Sequence, residues 1–142
     1  MLPHWLRRLF YRATLGNYAY KFLFARPPPD EAVALDCETT GLDPRVDDII
    51  AVAAVRIVRG RILTSERFEV VVRPDAGMQA EAIKVHRLRQ ADVAQGQLIR
   101  KVLPTLLHFV GGRPLVGYYV DFDIAMLNKY ILPHIGIELP NP

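Results

Sequence analysis

Asp36 and Glu38 stand two residues apart at the end of a short apolar run, Ala32-Val33-Ala34-Leu35-Asp36-Cys37-Glu38. Strand side chains alternate with period two, so both carboxylates leave one face and Cys37 leaves the other, toward a core. Two acids on one face repel each other unless a cation or water separates them. Oxygen-only ligands of this kind suit Mg²⁺ or Mn²⁺ rather than zinc. Taken alone, the pair reads equally as the solvated end of a strand. Its surroundings carry more chemistry. Thr39-Thr40-Gly41 follows as a tight turn with hydroxyls and backbone N–H groups, and Leu42 adds an apolar side chain at the rim. Much later, Val116-Gly117-Tyr118-Tyr119-Val120-Asp121-Phe122-Asp123 runs from a strand end into a helix. Asp121 is placed to cap that helix. Asp123 falls in the first turn, where the helix dipole also favours a carboxylate.

Such acids need a sheet to hold them. Ala32–Glu38 reads as a buried first strand and Ile49–Val58 as a second, β-branched one. Arg59-Gly60-Arg61 turns the chain into a third, from Ile62 to Arg73. A short helical piece is predicted within residues 79–93 and a longer helix over 97–110, which Pro104 starts or kinks and Gly111-Gly112 closes. Leu115–Tyr118 reads as a fourth strand, and a helix from Phe122 to Leu132 is stopped by Pro133. Three strands in meander, then helix, strand and helix, predict an α/β sheet with helices packed on it.

The chain has 142 residues, 51% of them apolar, which suits one core. No internal repeat is present. The single cysteine excludes an intramolecular disulfide framework and points to a reducing cytoplasm. No apolar run reaches the roughly 18–20 residues that span a bilayer. Residues 1–26 carry Arg7, Arg8, Arg12, Lys21 and Arg26 and no acid, for +5, while the rest has 13 basic and 15 acidic residues, for −2. The basic character therefore belongs to an N-terminal arm. That arm reads as a helix over residues 2–24, with Leu2, Trp5, Leu6, Leu9 and Phe10 at helical spacing. Gly16 and Asn17 interrupt it, and Pro27-Pro28-Pro29 ends it. The arm is taken as residues 1–29 and the domain as 30–142. Two readings of the arm stay open: its apolar face docks on the domain, or it lies on an anionic membrane or nucleic acid.

Leu35-Asp36-Cys37-Glu38-Thr39-Thr40-Gly41-Leu42 resembles the first exonuclease motif of the DnaQ-like (DEDD) superfamily, which includes polymerase proofreading subunits. Phe122-Asp123, after the strand Pro114–Gly117, resembles its second motif. Ile83-Lys84-Val85-His86-Arg87-Leu88 is similar to a histidine segment that many members carry. The resemblance implies a ribonuclease H-like fold and two Mg²⁺ (or Mn²⁺) ions about 4 Å apart that clamp a scissile phosphate. It implies that Asp36 bridges the ions, Glu38 holds the one that activates water, and Asp123 completes the set directly or through water. It further implies that Thr39, Thr40, Gly41, Leu42, His86 and Phe122 meet the terminal nucleotide, with Leu42 wedged against its base. The reaction implied is 3′→5′ removal of nucleotides from a single-stranded or frayed end, most simply of DNA in proofreading or repair. Exoribonuclease action, or a non-catalytic module that binds nucleic acid or a polymerase, are the alternatives.

Two departures qualify the match. The family's third motif, which supplies a general base and a fourth carboxylate, has no counterpart up to Pro142, so the chain reads as C-terminally truncated and weak in catalysis by itself. Tyr118-Tyr119 stands where many members have His-Asn; the tyrosines either pack at the strand end or stack on a base. His86 reads as a backbone-bonded histidine or a substrate contact, and Arg87 as a surface charge or a phosphate contact.

Overall fold

β1 (Glu31–Thr39) buries Val33, Leu35, Cys37 and Thr39 and leaves Asp36 exposed, as its alternating sequence dictates. The computed structural model describes residues 1–74 and 90–142. His86 and its segment, with most of the helical piece expected over 79–93, lie outside the described residues. β1 pairs antiparallel with β2 (Ile49–Val58), which pairs antiparallel with β3 (Arg61–Arg73). Arg59 (φ 48°) and Gly60 (φ 74°) both take the left-handed conformation that a two-residue hairpin loop requires. α2 (Gln90–Ala94) leads to β4 (Gln97–Leu98), a short parallel edge strand beside β3. α3 (Ile99–Val110), β5 (Leu115–Val116) and α4 (Val120–Ile135) complete the order. β5 pairs parallel with β1, giving a mixed sheet in the order β4-β3-β2-β1-β5.

The core lies between this sheet and the helices. Leu103, Leu106 and Leu107 of α3 and Met126, Leu127 and Ile131 of α4 are buried with Val33, Leu35 and Val52. Each such side chain contributes roughly 1.5–3 kcal/mol by leaving water. The opposite face of β1 and β2, with Ala34, Asp36, Glu38, Ala51, Ala53 and Val55, stays partly open among the described residues.

Four local expectations are corrected. Pro133 does not stop α4, which runs on to Ile135 and ends at Gly136 (φ 84°). In the last turn a proline sacrifices few helical bonds, whereas glycine readily takes the left-handed conformation that closes a helix. Pro104 does not start α3 but lies inside it. Asp121 does not cap α4; Tyr119 is the capping residue, with no side-chain bond, and Asp121 lies in the first turn. The arm breaks around Gly16 and Asn17 as expected, but its second piece is not α-helical: α1 (His4–Thr14) is followed by a 3₁₀ helix, Tyr18–Phe24, started by the Asn17 side chain accepting from the Ala19 N–H.

The arm grips the domain by an unexpected side. Tyr20 and Leu23 are buried in the common core, and the Gly16 and Asn17 N–H groups donate to the Ile135 carbonyl at the end of α4. Arg8 donates to the Pro140 and Leu23 carbonyls, and the Tyr11 hydroxyl donates to Glu138 at 2.8 Å. Trp5, Leu9 and Phe10, the face expected to dock, are instead exposed. Leu23 is fully buried, so Leu23→Ala is expected to cost about 2–5 kcal/mol in urea unfolding. A loss below 1 kcal/mol, on the order of a surface substitution, would show that the 3₁₀ segment is not part of the core.

Candidate active site

Asp36 and Glu38 reach the open face at the C-terminal end of β1, and both line a groove of about 340 Å³ with Ala51, Ala53 and Glu69. A second groove, of about 490 Å³, also begins at Asp36 and is walled by Thr64, Arg67, Glu69 and Tyr118. Asp36 pairs with Ala53, and Ala53 with Glu69, so the three stand in one row across the strands. Two strand spacings place the backbones of Asp36 and Glu69 roughly 9.6 Å apart. Glu69 is thus the far wall rather than a partner in a shared ion.

Asp123 arrives from the first turn of α4. It is 4% exposed, and its Oδ1 accepts the Cys37 N–H at 2.9 Å. Burial raises the Asp123 pKa above the usual carboxylate range; the Cys37 N–H opposes this by favouring the anion, and the nearby Asp36 charge adds to the rise. The Cys37 thiol is driven far up, first by burial and then by Asp123, Asp36 and Glu38. Asp123 is thereby tied to the β1 residue that lies between Asp36 and Glu38. Gly117 permits the approach of β5, since a Cβ there would stand 2.5 Å from the Leu35 carbonyl oxygen.

The turn after β1 is held by residues that the sequence reading passed over. Thr40 donates its hydroxyl to Asp47 at 3.1 Å; that hydroxyl also accepts the Asp48 N–H, and the Thr40 N–H donates to the Asp48 carbonyl. Asp47 also accepts the Asp43 N–H, and a Cβ on Gly41 would lie 2.5 Å from an Asp47 oxygen. Lys129 donates to the Asp47 carbonyl and Tyr130 to the Asp48 carboxylate, so α4 clamps the whole turn. Thr39 is buried and donates to the Gly41 carbonyl at 2.7 Å. Both threonine hydroxyls are thus spent inside the turn, and Leu42 is left 86% exposed at its tip. Phe122 packs against the core. Tyr118 and Tyr119 do not pack at the strand end: they are 96% and 78% exposed. Only the alternation of Arg67 and Glu69 with the half-buried Phe68 and Val70 could have revealed the groove's far wall in the sequence. The Asp47 and Asp48 contacts with α4 span 82 residues and leave no local signal.

Among the described residues no group of three or more acid, histidine or cysteine side chains is arranged to hold a metal ion. The donors nonetheless fit a hard divalent ion. Mg²⁺ keeps several waters and takes one or two carboxylates together with substrate phosphates. His134 bonds Tyr20 and His108 stacks on Phe22, so neither histidine serves this site.

A mixed sheet with acids at the end of its first strand and a third acid opening the helix after β5 defines a ribonuclease H-like fold of the nuclease type. The chain belongs to the exonuclease family, whose profile (RNase_T: Exonuclease) matches residues 33–142. The DNA polymerase III epsilon subunit of Aquifex aeolicus is 36% identical over 110 residues, covering 78% of this chain and 54% of that protein. A solved structure of exonuclease X with 5′-overhanging duplex DNA superposes with a TM-score of 0.59 at 28% identity, covering 78% of this chain and 56% of that one. The chain thus spans about half the length of these two relatives. Escherichia coli exonuclease I, solved with zinc and single-stranded DNA, shares the fold, with a TM-score of 0.62 at 19% identity over 74% of this chain and 24% of that one.

Two predictions follow from this geometry. A carboxyl whose pKa is raised by folding destabilises the folded state as it ionises, so stability falls as pH rises from the usual carboxylate range through the raised value. Asp123→Asn removes that slope. Without divalent ions its urea midpoint should exceed the wild type's at neutral pH and match it in acid; equal midpoints throughout would refute the burial cost. Tyr119 holds φ at 55°, a conformation that asparagine tolerates far better than tyrosine. Tyr119→Asn is expected to add about 0.5–1 kcal/mol in the same assay.

Proposed function

We propose that the protein is a metal-dependent 3′→5′ exonuclease that removes nucleotides from single-stranded or frayed DNA ends in a proofreading or repair role. The observation that carries this reading is the bond from the Cys37 N–H to the buried Asp123, which ties that acid to β1 between Asp36 and Glu38, both of which line a groove. Asp36 and Glu38 would hold divalent ions, Mg²⁺ or Mn²⁺, and Asp123 would complete the ligand set directly or through water. The ions, when bound, polarise the scissile phosphate and stabilise charge on the attacking and leaving oxygens.

The remaining work falls to the chain. Leu42, held out by the turn that Asp47 organises, wedges against the terminal base. Tyr118 offers an exposed ring on the groove wall, and one base stacked on an aromatic is worth about 1–3 kcal/mol whatever its identity. Arg67 places a cation across the groove from Asp36, where a phosphate backbone would pass. Thr39 and Thr40 shape the turn, leaving Gly41 and Leu42 to meet the nucleotide. The 142 residues alone are expected to cleave slowly, because no described histidine stands at the site to take a proton. The buried, unreactive Cys37 thiol suits a cytoplasmic enzyme.

The test is stepwise shortening of 5′-labelled single-stranded DNA from its 3′ end, with RNA of the same sequence as control. In the complete protein, Asp36→Ala should lower the Mg²⁺-dependent rate by roughly 10³-fold or more. Undiminished cleavage in that variant, or cleavage that survives chelation, would sink the metal-dependent reading, and faster hydrolysis of the RNA would sink the choice of DNA.

A further inference from the structure

We propose that the outward face of α1 is a docking surface that seats the protein on anionic lipid. Leu2, Trp5, Leu9 and Phe10 are 57–64% exposed and form one stripe, with Leu6 between them at 38%. A contiguous apolar stripe held in water marks an interaction site rather than scattered surface hydrophobes. The helix is not at liberty to roll this stripe inward. Arg8, Tyr11 and His4 on its opposite side are bonded to Pro140, Leu23 and Glu138, so the docked side is polar and the apolar side is presented.

Charge selects the occupant. Residues 1–26 hold five cations and no acid. At 3.6 residues per turn, Arg7 and Arg12 fall on the two borders of the stripe, and both are exposed. Lys21 and Arg26 are exposed on the segment that follows. Apolar residues with tryptophan and phenylalanine on one face and arginines at its edges describe a helix lying in the plane of a membrane interface. Each cation near an anionic surface adds to that attraction. A second copy is disfavoured, because it would bring one +5 arm against another.

Nucleic acid in the groove is an equally poor occupant. The arm is fixed to the Ile135 carbonyl, at the far end of α4 from Asp123. Twelve residues of helix separate these points by about 18 Å. A phosphate backbone also offers nothing to cover five apolar side chains. The family profile begins at residue 33, so this surface lies outside the residues that the profile matches. No helix among the described residues is long and apolar enough to cross a membrane, and the docking inferred is peripheral.

Trp5 is the only tryptophan in the sequence, which makes its fluorescence a direct reporter. The 142-residue chain is titrated with vesicles of phosphatidylcholine containing phosphatidylglycerol, and separately with phosphatidylcholine alone. A blue shift of Trp5 emission and shielding from an aqueous quencher are expected with the anionic vesicles, and a far weaker response with the neutral ones. Leu9→Glu/Phe10→Glu should abolish binding in vesicle sedimentation while circular dichroism stays unchanged. Arg7→Glu/Arg12→Glu, which leaves the stripe intact, should weaken it by about tenfold or more. An unshifted Trp5 with anionic vesicles overturns the proposal. So does a shift produced instead by a single-stranded oligonucleotide or by raising protein concentration alone. Asp36 takes no part, so the outcome is independent of nuclease activity.

Discussion

A single hydrogen bond, from the Cys37 N–H in β1 to the Asp123 carboxylate in α4, joins the two parts of the chain on which the site depends. It spans 86 residues and fixes where the last helix begins relative to the first strand. The bond favours the ionised carboxylate, whereas burial and the neighbouring Asp36 oppose it. The ionised form of Asp123 is thus one that its own surroundings resist. A cation at Asp36 and Glu38 would relieve that opposition, so metal occupancy and the stability of the strand–helix junction are thermodynamically coupled.

The same helix fixes the other side of the site. Two turns after Asp123, Lys129 and Tyr130 reach the 47–48 stretch and through it the Thr40–Leu42 turn. α4 therefore positions both a carboxylate and the apolar tip presented by Leu42. The two need no direct contact, because each is referred to one rigid element. Exposed groups around that frame are then free to differ while it persists, as the exposed tyrosine pair at positions 118 and 119 illustrates.

Much of this arrangement was legible in the sequence because it rests on short-range rules. The period of two placed Asp36 and Glu38 opposite Cys37, and the Arg59-Gly60 turn placed β3 beside β2. Helical periodicity found α3 and α4. What escaped depended on distant partners. Asp121 looked like a cap because Tyr119 gave no sign of adopting a left-handed conformation. The hydroxyl bonds of Thr39 and Thr40, to the Gly41 carbonyl and to Asp47, likewise follow only from how the turn closes. The apolar stripe of α1 looked like a docking face because periodicity reports amphipathicity without saying which side meets the domain; Arg8 and Tyr11 decide that by bonding groups 15 to 132 residues away. The helix end at Gly136 rather than Pro133 depended on the cost of a lost bond in a final turn.

The alternation in β1 also bears on how the sheet finds its pairing. A slip of β1 by one residue against β2 would exchange its faces, turning Asp36 and Glu38 inward and Cys37 outward. The misregistered sheet would have to bury two carboxylates beneath α3 and α4, a cost of several kcal/mol for each unpaired ion. The acids thus discriminate between one assembly of the meander and its nearest competitor before any ligand arrives. Folding fidelity and chemistry are written into the same two side chains.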